Sequence, residues 1–219
     1  GVDFGLLGRD GSLIENPRCY RDARTNGILE AAFARMPKEE IYARTGIQFL
    51  QFNTLFQLFA MQRRNASSLP AAHSLLMMPD LLSYWLSGTA ACEVTIASTS
   101  QILDPRSAEW DRELLESFGL SSSILRDLVT PGARLGTLLP HLAEAARVSA
   151  QTPVYATAGH DTACAVAAVP ATGGQGWCYI SSGTWSLLGA ELDAPVMNAS
   201  ALAHGFTNEM GAGGRIRFL

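Results

Sequence analysis

Nothing in this sequence is spaced to close a metal tetrahedron, cross a bilayer or attract a polyanion. The four cysteines, Cys19, Cys92, Cys164 and Cys178, are far apart and form no CxxC or Cys/His ligand pattern. That spacing argues against a zinc site, and reduced, mostly buried thiols in a cytoplasmic setting are the expectation. No apolar run approaches the roughly 20 residues of a membrane helix, and the first residues do not read as a basic-then-apolar leader. Charge is scarce as well: only 16% of residues are charged and the formal net charge is -4. Such a balance gives no general attraction for phosphate backbones or anionic lipid, so nucleic acid and membranes are not expected partners.

Low charge beside 47% hydrophobic residues, over 219 residues, excludes disorder and leaves enough apolar side chain for a real core. Both ends fall inside strand-like runs. The chain opens without methionine at Gly1-Val2-Asp3-Phe4-Gly5-Leu6-Leu7 and stops at Arg215-Ile216-Arg217-Phe218-Leu219. Core strands are seldom left with such edges, so an internal piece of a longer protein is expected.

The opening run meets the turn residues Arg9-Asp10-Gly11 and then Ser12-Leu13-Ile14, a β-hairpin pattern. Apolar residues recur at helical spacing over 25–35, where Pro37 stops them, and a short helix follows over 38–45 ending near Gly46. Strongly apolar helices are predicted over 53–64 and 75–86, the second with Pro79 in its first turn and Gly88 after its end. Two more are predicted over 110–118 and 139–148, separated by a Pro131-Gly132 turn. Trp85 and Trp110 are expected in the core, and Asp80 reads as a helix-start residue. Beyond Pro153 the pattern becomes strand (154–158), helix (163–169), Gly-rich turn (172–176) and strand pair (180–188), which suggests a second α/β lobe.

Two segments could carry chemistry. Gly159-His160-Asp161-Thr162 lies between a strand and a helix, so the Asp161 carboxylate sits beside unpaired backbone N–H groups and could accept the proton of a substrate hydroxyl. A plain helix cap is the competing reading. Ser181-Ser182-Gly183-Thr184-Trp185-Ser186 lies between apolar runs, and a bend at Gly183 and Thr184 could hold phosphate oxygens on exposed N–H groups; an ordinary Ser/Gly turn competes with it. Cys164 has no partner nearby in sequence to activate a thiolate and reads as a packed helix thiol. His73, His141 and His204 read as surface or capping residues. Around Asp3 and Tyr20-Arg21-Asp22, an ion pair of Arg21 with Asp22 or Asp3 competes evenly with a sugar contact.

These pieces stand in one order: Gly1-Val2-Asp3-Phe4-Gly5, Tyr20-Arg21-Asp22-Ala23-Arg24-Thr25, Gly46-Ile47-Gln48-Phe49-Leu50, Asn53-Thr54-Leu55, Leu76-Met77-Met78-Pro79-Asp80, His160-Asp161-Thr162, Ile180 through Leu187, and Thr207-Asn208-Glu209. The series resembles the FGGY family of carbohydrate kinases, and within it the kinases of L-rhamnulose, along essentially the whole chain. The resemblance implies an α/β, actin-like (ribonuclease-H-like) ATPase fold, with residues 1–170 as the remainder of an N-terminal, sugar-binding lobe and 171–219 as the beginning of a nucleotide-binding lobe. It implies Asp161 as catalytic base, Gly1, His160 and Thr162 as ketose contacts, Thr184 with Gly183 at ATP, and ATP with Mg2+ as the cofactors. Met210 and Cys164 replace the family's usual glycine and serine. Kinases of L-fuculose or L-xylulose, a non-catalytic sugar-binding protein on the same fold, and a hydrolase using Asp161 and His160 are the alternatives. The 219 residues alone are expected to be inactive, because family phosphate, metal and adenosine segments are not among them.

Overall fold

A computed structural model describes residues 2–171 and 176–219. The first strand, β1 (Phe4–Leu7), is buried at every position, as a strand covered on both faces must be. Its partner is β2 (Ser74–Met77), antiparallel, with Phe4 opposite Met77 and Leu7 opposite Ser74. The local turn at Arg9-Asp10-Gly11 does form: the Gly8 N–H donates to Ser12 O at 2.9 Å, and the Ile14 N–H to Leu6 O. Its returning arm amounts to one bridge between Leu7 and Leu13. The sequence reading of 75–86 as one helix is therefore corrected at its start. Leu75, Leu76 and Met77 are fully buried, and a short apolar run of that kind carries no periodicity to separate strand from buried helix.

Three helices then build the main core: α1 (Ile28–Phe33), α2 (Lys38–Thr45) and α3 (Thr54–Arg63). α2 ends on Gly46 at φ 66°, a left-handed stop that glycine adopts without a Cβ penalty. In α3 every residue from Thr54 to Met61 is buried, so this helix is covered all round. Leu55, Phe56, Leu58 and Phe59 meet Ile28, Ile41, Leu114 and Phe118 in one cluster. The short α4 (Ser68–Ala71) leads to β2 and then α5 (Met78–Ser87), which has Pro79 in its first turn and stops at Gly88 in the left-handed region.

The middle of the chain is short pieces: β3 (Cys92–Glu93), α6 (Val94–Ser98), β4 (Leu103–Asp104), β5 (Glu109–Trp110), α7 (Arg112–Ser117), β6 (Leu128–Val129), β7 (Arg134–Thr137), α8 (Pro140–Ala146) and β8 (Pro153–Tyr155). α7 begins at Arg112 because the Asp111 side chain caps it, accepting from the Leu114 N–H, while Glu109 and Trp110 pair as strand with β4. β3 runs parallel to β6, and β7 is antiparallel to β8. After α9 (Asp161–Ala167) comes a four-stranded sheet in the order β11-β12-β10-β9, made of β9 (Tyr179–Ser182), β10 (Ser186–Leu192), β11 (Asn208–Met210) and β12 (Ile216–Phe218), with α10 (Ala199–Ala203) between β10 and β11. The Gly-rich turn expected over 172–176 lies, apart from Gly176, outside the described residues.

Three expectations about burial change. Only Cys92 is buried; Cys19, Cys164 and Cys178 are exposed, because α9 turns Cys164 outward and the other two lie off the core elements. Trp85 is 42% exposed, on the outer face of α5. Trp110 is half-buried against the core and donates from its ring N–H to Arg126 O at 2.8 Å. No helix among the described residues is long and apolar enough to cross a membrane.

Asp80 is more than a helix-start residue. It is 5% exposed, and its Oδ1 accepts from the Glu93 N–H at 3.0 Å while Oδ2 has no partner. Burial, with the Glu93 carboxylate adding to it, raises its pKa from 3.8 to about 7. A carboxyl raised on folding binds its proton more tightly in the native state. Its contribution is therefore favourable at low pH, is lost as pH climbs from about 4 to 7, and is gone above that. We predict that native stability, read from urea midpoints, falls between pH 5 and pH 8. Asp80→Asn should flatten that fall by roughly 1–3 kcal/mol.

Candidate active site

The segment 159–162 is set in place by a residue that its own sequence does not reveal. Glu93 is 2% exposed and caps α6 from below. Its Oε1 accepts from the Thr95 N–H at 2.9 Å, and its Oε2 from the Thr95 hydroxyl at 2.5 Å, the Ile96 N–H at 3.2 Å and the Gly159 N–H at 2.7 Å. One carboxylate thus holds the first turn of α6 and the loop before α9 together. Gly159 is needed for this approach: a Cβ there would stand 2.9 Å from Ile96 Cγ2 and 3.3 Å from Glu93 Oε2. The His160 N–H points at the Thr95 hydroxyl at 3.4 Å.

Asp161 is the first residue of α9, with His160 as its N-cap. Its side chain is 96% exposed, and Oδ1 accepts from the Thr162 N–H at 2.8 Å. The capping reading and the accessible-base reading are compatible here, since one oxygen touches the helix start and the group as a whole stands open to a second molecule. His160 Nε2 lies 3.5 Å from the same oxygen. On the other side of its ring, Nδ1 is 2.8 Å from Arg217 Nη2 and 3.1 Å from Glu209 Oε2. Thr162 is buried at the start of the helix. Gly1 lies outside the described residues.

The bend at 183–185 joins β9 to β10, with Ser182 opposite Ser186. Gly183 and Thr184 are exposed, but the Gly183 N–H donates to Trp185 O at 3.0 Å. That donor is consumed within the bend, a correction to the expectation that its N–H groups are all free. α9 packs on β9, so Asp161 and the bend arise from neighbouring elements. The Trp185 ring stands 6.0 Å from that of Phe52. The larger described cavities lie elsewhere; one of 870 Å³ is lined by Arg44, Asp104, Arg106, Asp111 and Arg126, where Arg44 forks onto Asp111 at 2.6 Å.

Near β1 the ion pair that competes with a sugar contact for Arg21 does not form. Arg21 is exposed and donates to the Tyr20 hydroxyl, while Asp22 accepts from the Arg24 N–H. The buried cation is Arg24, 6% exposed, which donates to Gln57 Oε1. Gln57 in turn donates to Val2 O and Phe52 O. Asp3 Oδ1 is buried without a partner, as are Arg24 Nε and Nη1. Burial raises the Asp3 carboxyl above its ordinary value despite nearby Arg24. Cys164 donates to Ala158 O at 3.1 Å. Among the described residues no group of three or more His, Cys, Asp or Glu could hold a metal ion.

Sequence reasoning found the segment but missed its supports. Glu93 stands alone in an apolar run with no spacing signal. Glu209 lay within a recognised motif, yet nothing local pointed it at His160. We predict that Glu93→Ala, which strands three backbone N–H groups and a hydroxyl, lowers stability by about 3–5 kcal/mol in chemical denaturation, whereas an exposed control such as Glu113→Ala changes it by under about 0.5 kcal/mol.

Comparison with known proteins points one way. Residues 1–168 match the N-terminal domain of the FGGY family of carbohydrate kinases. A rhamnulokinase of Bacteroides thetaiotaomicron is 48% identical over 219 residues, covering all of this chain and 45% of that protein. A rhamnulokinase of Oceanobacillus iheyensis is 41% identical over 218 residues and is covered to 46%. The chain thus spans under half the length of these curated relatives. The crystal structure of a xylulose kinase from Rhodospirillum rubrum superposes with a TM-score of 0.83 at 17% identity, over 99% of this chain and 43% of that one. At that identity the likeness speaks for the fold, which is the α/β, actin-like architecture expected from the sequence.

Proposed function

The chain belongs to the FGGY family of carbohydrate kinases, and from that premise we propose that it supplies the sugar site and the catalytic base of a kinase that transfers the γ-phosphoryl of ATP to the 1-hydroxyl of L-rhamnulose in the cytoplasm. The observation that carries the reading is Asp161, an exposed carboxylate at the head of α9, held on a loop fixed by Glu93 through Gly159. On this reading residues 1–170 are the remainder of the sugar-binding lobe and 171–219 the start of the nucleotide lobe. The family match that ends at residue 168 supports this, as does the separate sheet that begins with β9.

In the reaction Asp161 takes the proton of the ketose hydroxyl as its oxygen bonds to the γ-phosphorus, the bond to the bridging oxygen breaks, and ADP leaves with the electron pair. His160 and Thr162, on either side of the base, contact the ketose together with Gly1. Thr184, in the exposed bend after β9, takes ATP, with Gly183 shaping the bend. ATP comes with Mg2+, but the described residues offer no ligand set of their own for the ion, and no step here depends on it. The likeness to two proteins named rhamnulokinase supports L-rhamnulose as the ketose.

Asp161→Asn in the full-length kinase is expected to lower kcat by about 10²–10⁴ while leaving ketose KM within a few-fold, since general-base help acts on the transition state. A variant with wild-type kcat would remove Asp161 from the chemistry. A panel of L-rhamnulose, L-fuculose and L-xylulose, ranked by kcat/KM, tests the substrate. The 219-residue chain purified alone is expected to show no ketose-dependent ATP turnover.

A further inference from the structure

The segment Thr207-Asn208-Glu209 has no part in the transfer step, yet it ends beside the residue that precedes the base. Glu209 is largely buried, with 12% of its side chain exposed, and Arg217 beside it is wholly buried. Arg217 Nη2 donates to Glu209 Oε2 at 2.8 Å and also stands 2.8 Å from His160 Nδ1. A guanidinium has only hydrogens to offer. At that distance His160 Nδ1 must therefore present its lone pair, because an N–H there would meet another N–H head on. A neutral ring with a lone pair on Nδ1 carries its proton on Nε2. Nε2 is the atom that faces Asp161, 3.5 Å from Oδ1.

We propose that Glu209 is a positioning residue which, by pinning Arg217 against His160 Nδ1, fixes the imidazole as an Nε2–H donor on the ketose side of the loop. The inference rests on the kinase reading above and deepens it: the sugar atom that His160 recognises is an oxygen lone pair, either the ketose carbonyl or a hydroxyl acting as acceptor. Glu209 is suited to this role because it offsets the guanidinium charge in a place shut off from water. Arg217 is held from behind as well, through its Nε at 3.4 Å from Met210 O. A carboxylate 3.1 Å from Nδ1 would in isolation pull the proton onto that nitrogen. The guanidinium N–H at 2.8 Å from Nδ1, closer than the carboxylate, is what reverses the preference.

The test uses the full-length protein with ¹⁵N-labelled histidine, the His160 resonances being assigned by their loss in His160→Asn. The wild-type ring is expected to show a protonated Nε2 and an unprotonated, hydrogen-bond-accepting Nδ1. A proton found on Nδ1 in the wild type overturns the inference without any variant being made. In Glu209→Gln the two tautomers should mix and ketose KM should rise about tenfold, the scale of one lost polar contact, with KM for ATP unchanged. Glu209→Asp, which keeps the charge, should recover part of both effects and serves as the second variant if Gln at this position does not fold. A folded Glu209→Gln protein with the wild-type tautomer and wild-type ketose KM sinks the idea and leaves Glu209 a mere structural counter-ion. Failure of the wild type to phosphorylate any ketose would instead overturn the kinase reading, and the ring spectrum reports on the clamp independently of that.

Discussion

The Glu93 carboxylate is the constraint on which the candidate site depends. It accepts from three backbone N–H groups and a hydroxyl, and it is almost wholly shut off from solvent. A buried carboxylate is tolerable only when its lone pairs are filled, and here the donors that fill them are the start of α6 and the loop that carries Asp161. The anion therefore fixes where the loop can lie. Gly159 lets the backbone come close enough to be held, and His160 gains a second tether at Thr95. Asp161 can stand open to a ligand because its neighbours are fixed from underneath.

The opposite side of the loop is held from far along the chain. Asn208 is fully buried and spans two segments: its Oδ1 accepts from the Val196 N–H, and its amide donates to Gly46 O and Val196 O. Thr207 accepts from the Gln48 N–H, and the Met210 N–H donates to Ser98. Tyr42 and Gln48 both reach Phe206 O. The stretches Gly46-Ile47-Gln48 and Thr207-Asn208-Glu209, separate in sequence, thus form one polar joint, and its last member closes on His160. Each of these polar groups is expensive to bury alone and inexpensive as a set.

What the sequence made legible was local. Gly46 and Gly88 stop their helices and Pro79 opens one, because left-handed φ and a missing N–H act within a residue or two. The strand-to-helix setting of Asp161 could be read for the same reason, and the order of motifs carried the family resemblance. Burial set by distant partners was not legible. β2 cannot be told from the start of α5 in the sequence because its apolar run lacks a period. The sequence leaves Arg21 open between an ion pair and a sugar contact and is silent on Arg24, the buried cation, since residue type alone cannot say which of two nearby arginines turns inward. Hydrophobicity alone points Trp85 at the core, yet it is 42% exposed on α5. Glu93 and Glu209 give no local sign at all, because their roles are defined by atoms 66 and 49 positions away or by a neighbouring strand.

The reach of the polar joint has a consequence for how the molecule is made. Asn208 bonds to a residue 162 positions earlier, Met210 to one 112 earlier. Contacts of such separation close long loops and form late, after the locally encoded helices around α3 have gathered. During synthesis the loop bearing Asp161 leaves the ribosome before β11 and β12 exist. For that interval the nascent chain carries its acid group with the imidazole beside it unclamped, and β11 and β12 complete the orientation once they have emerged.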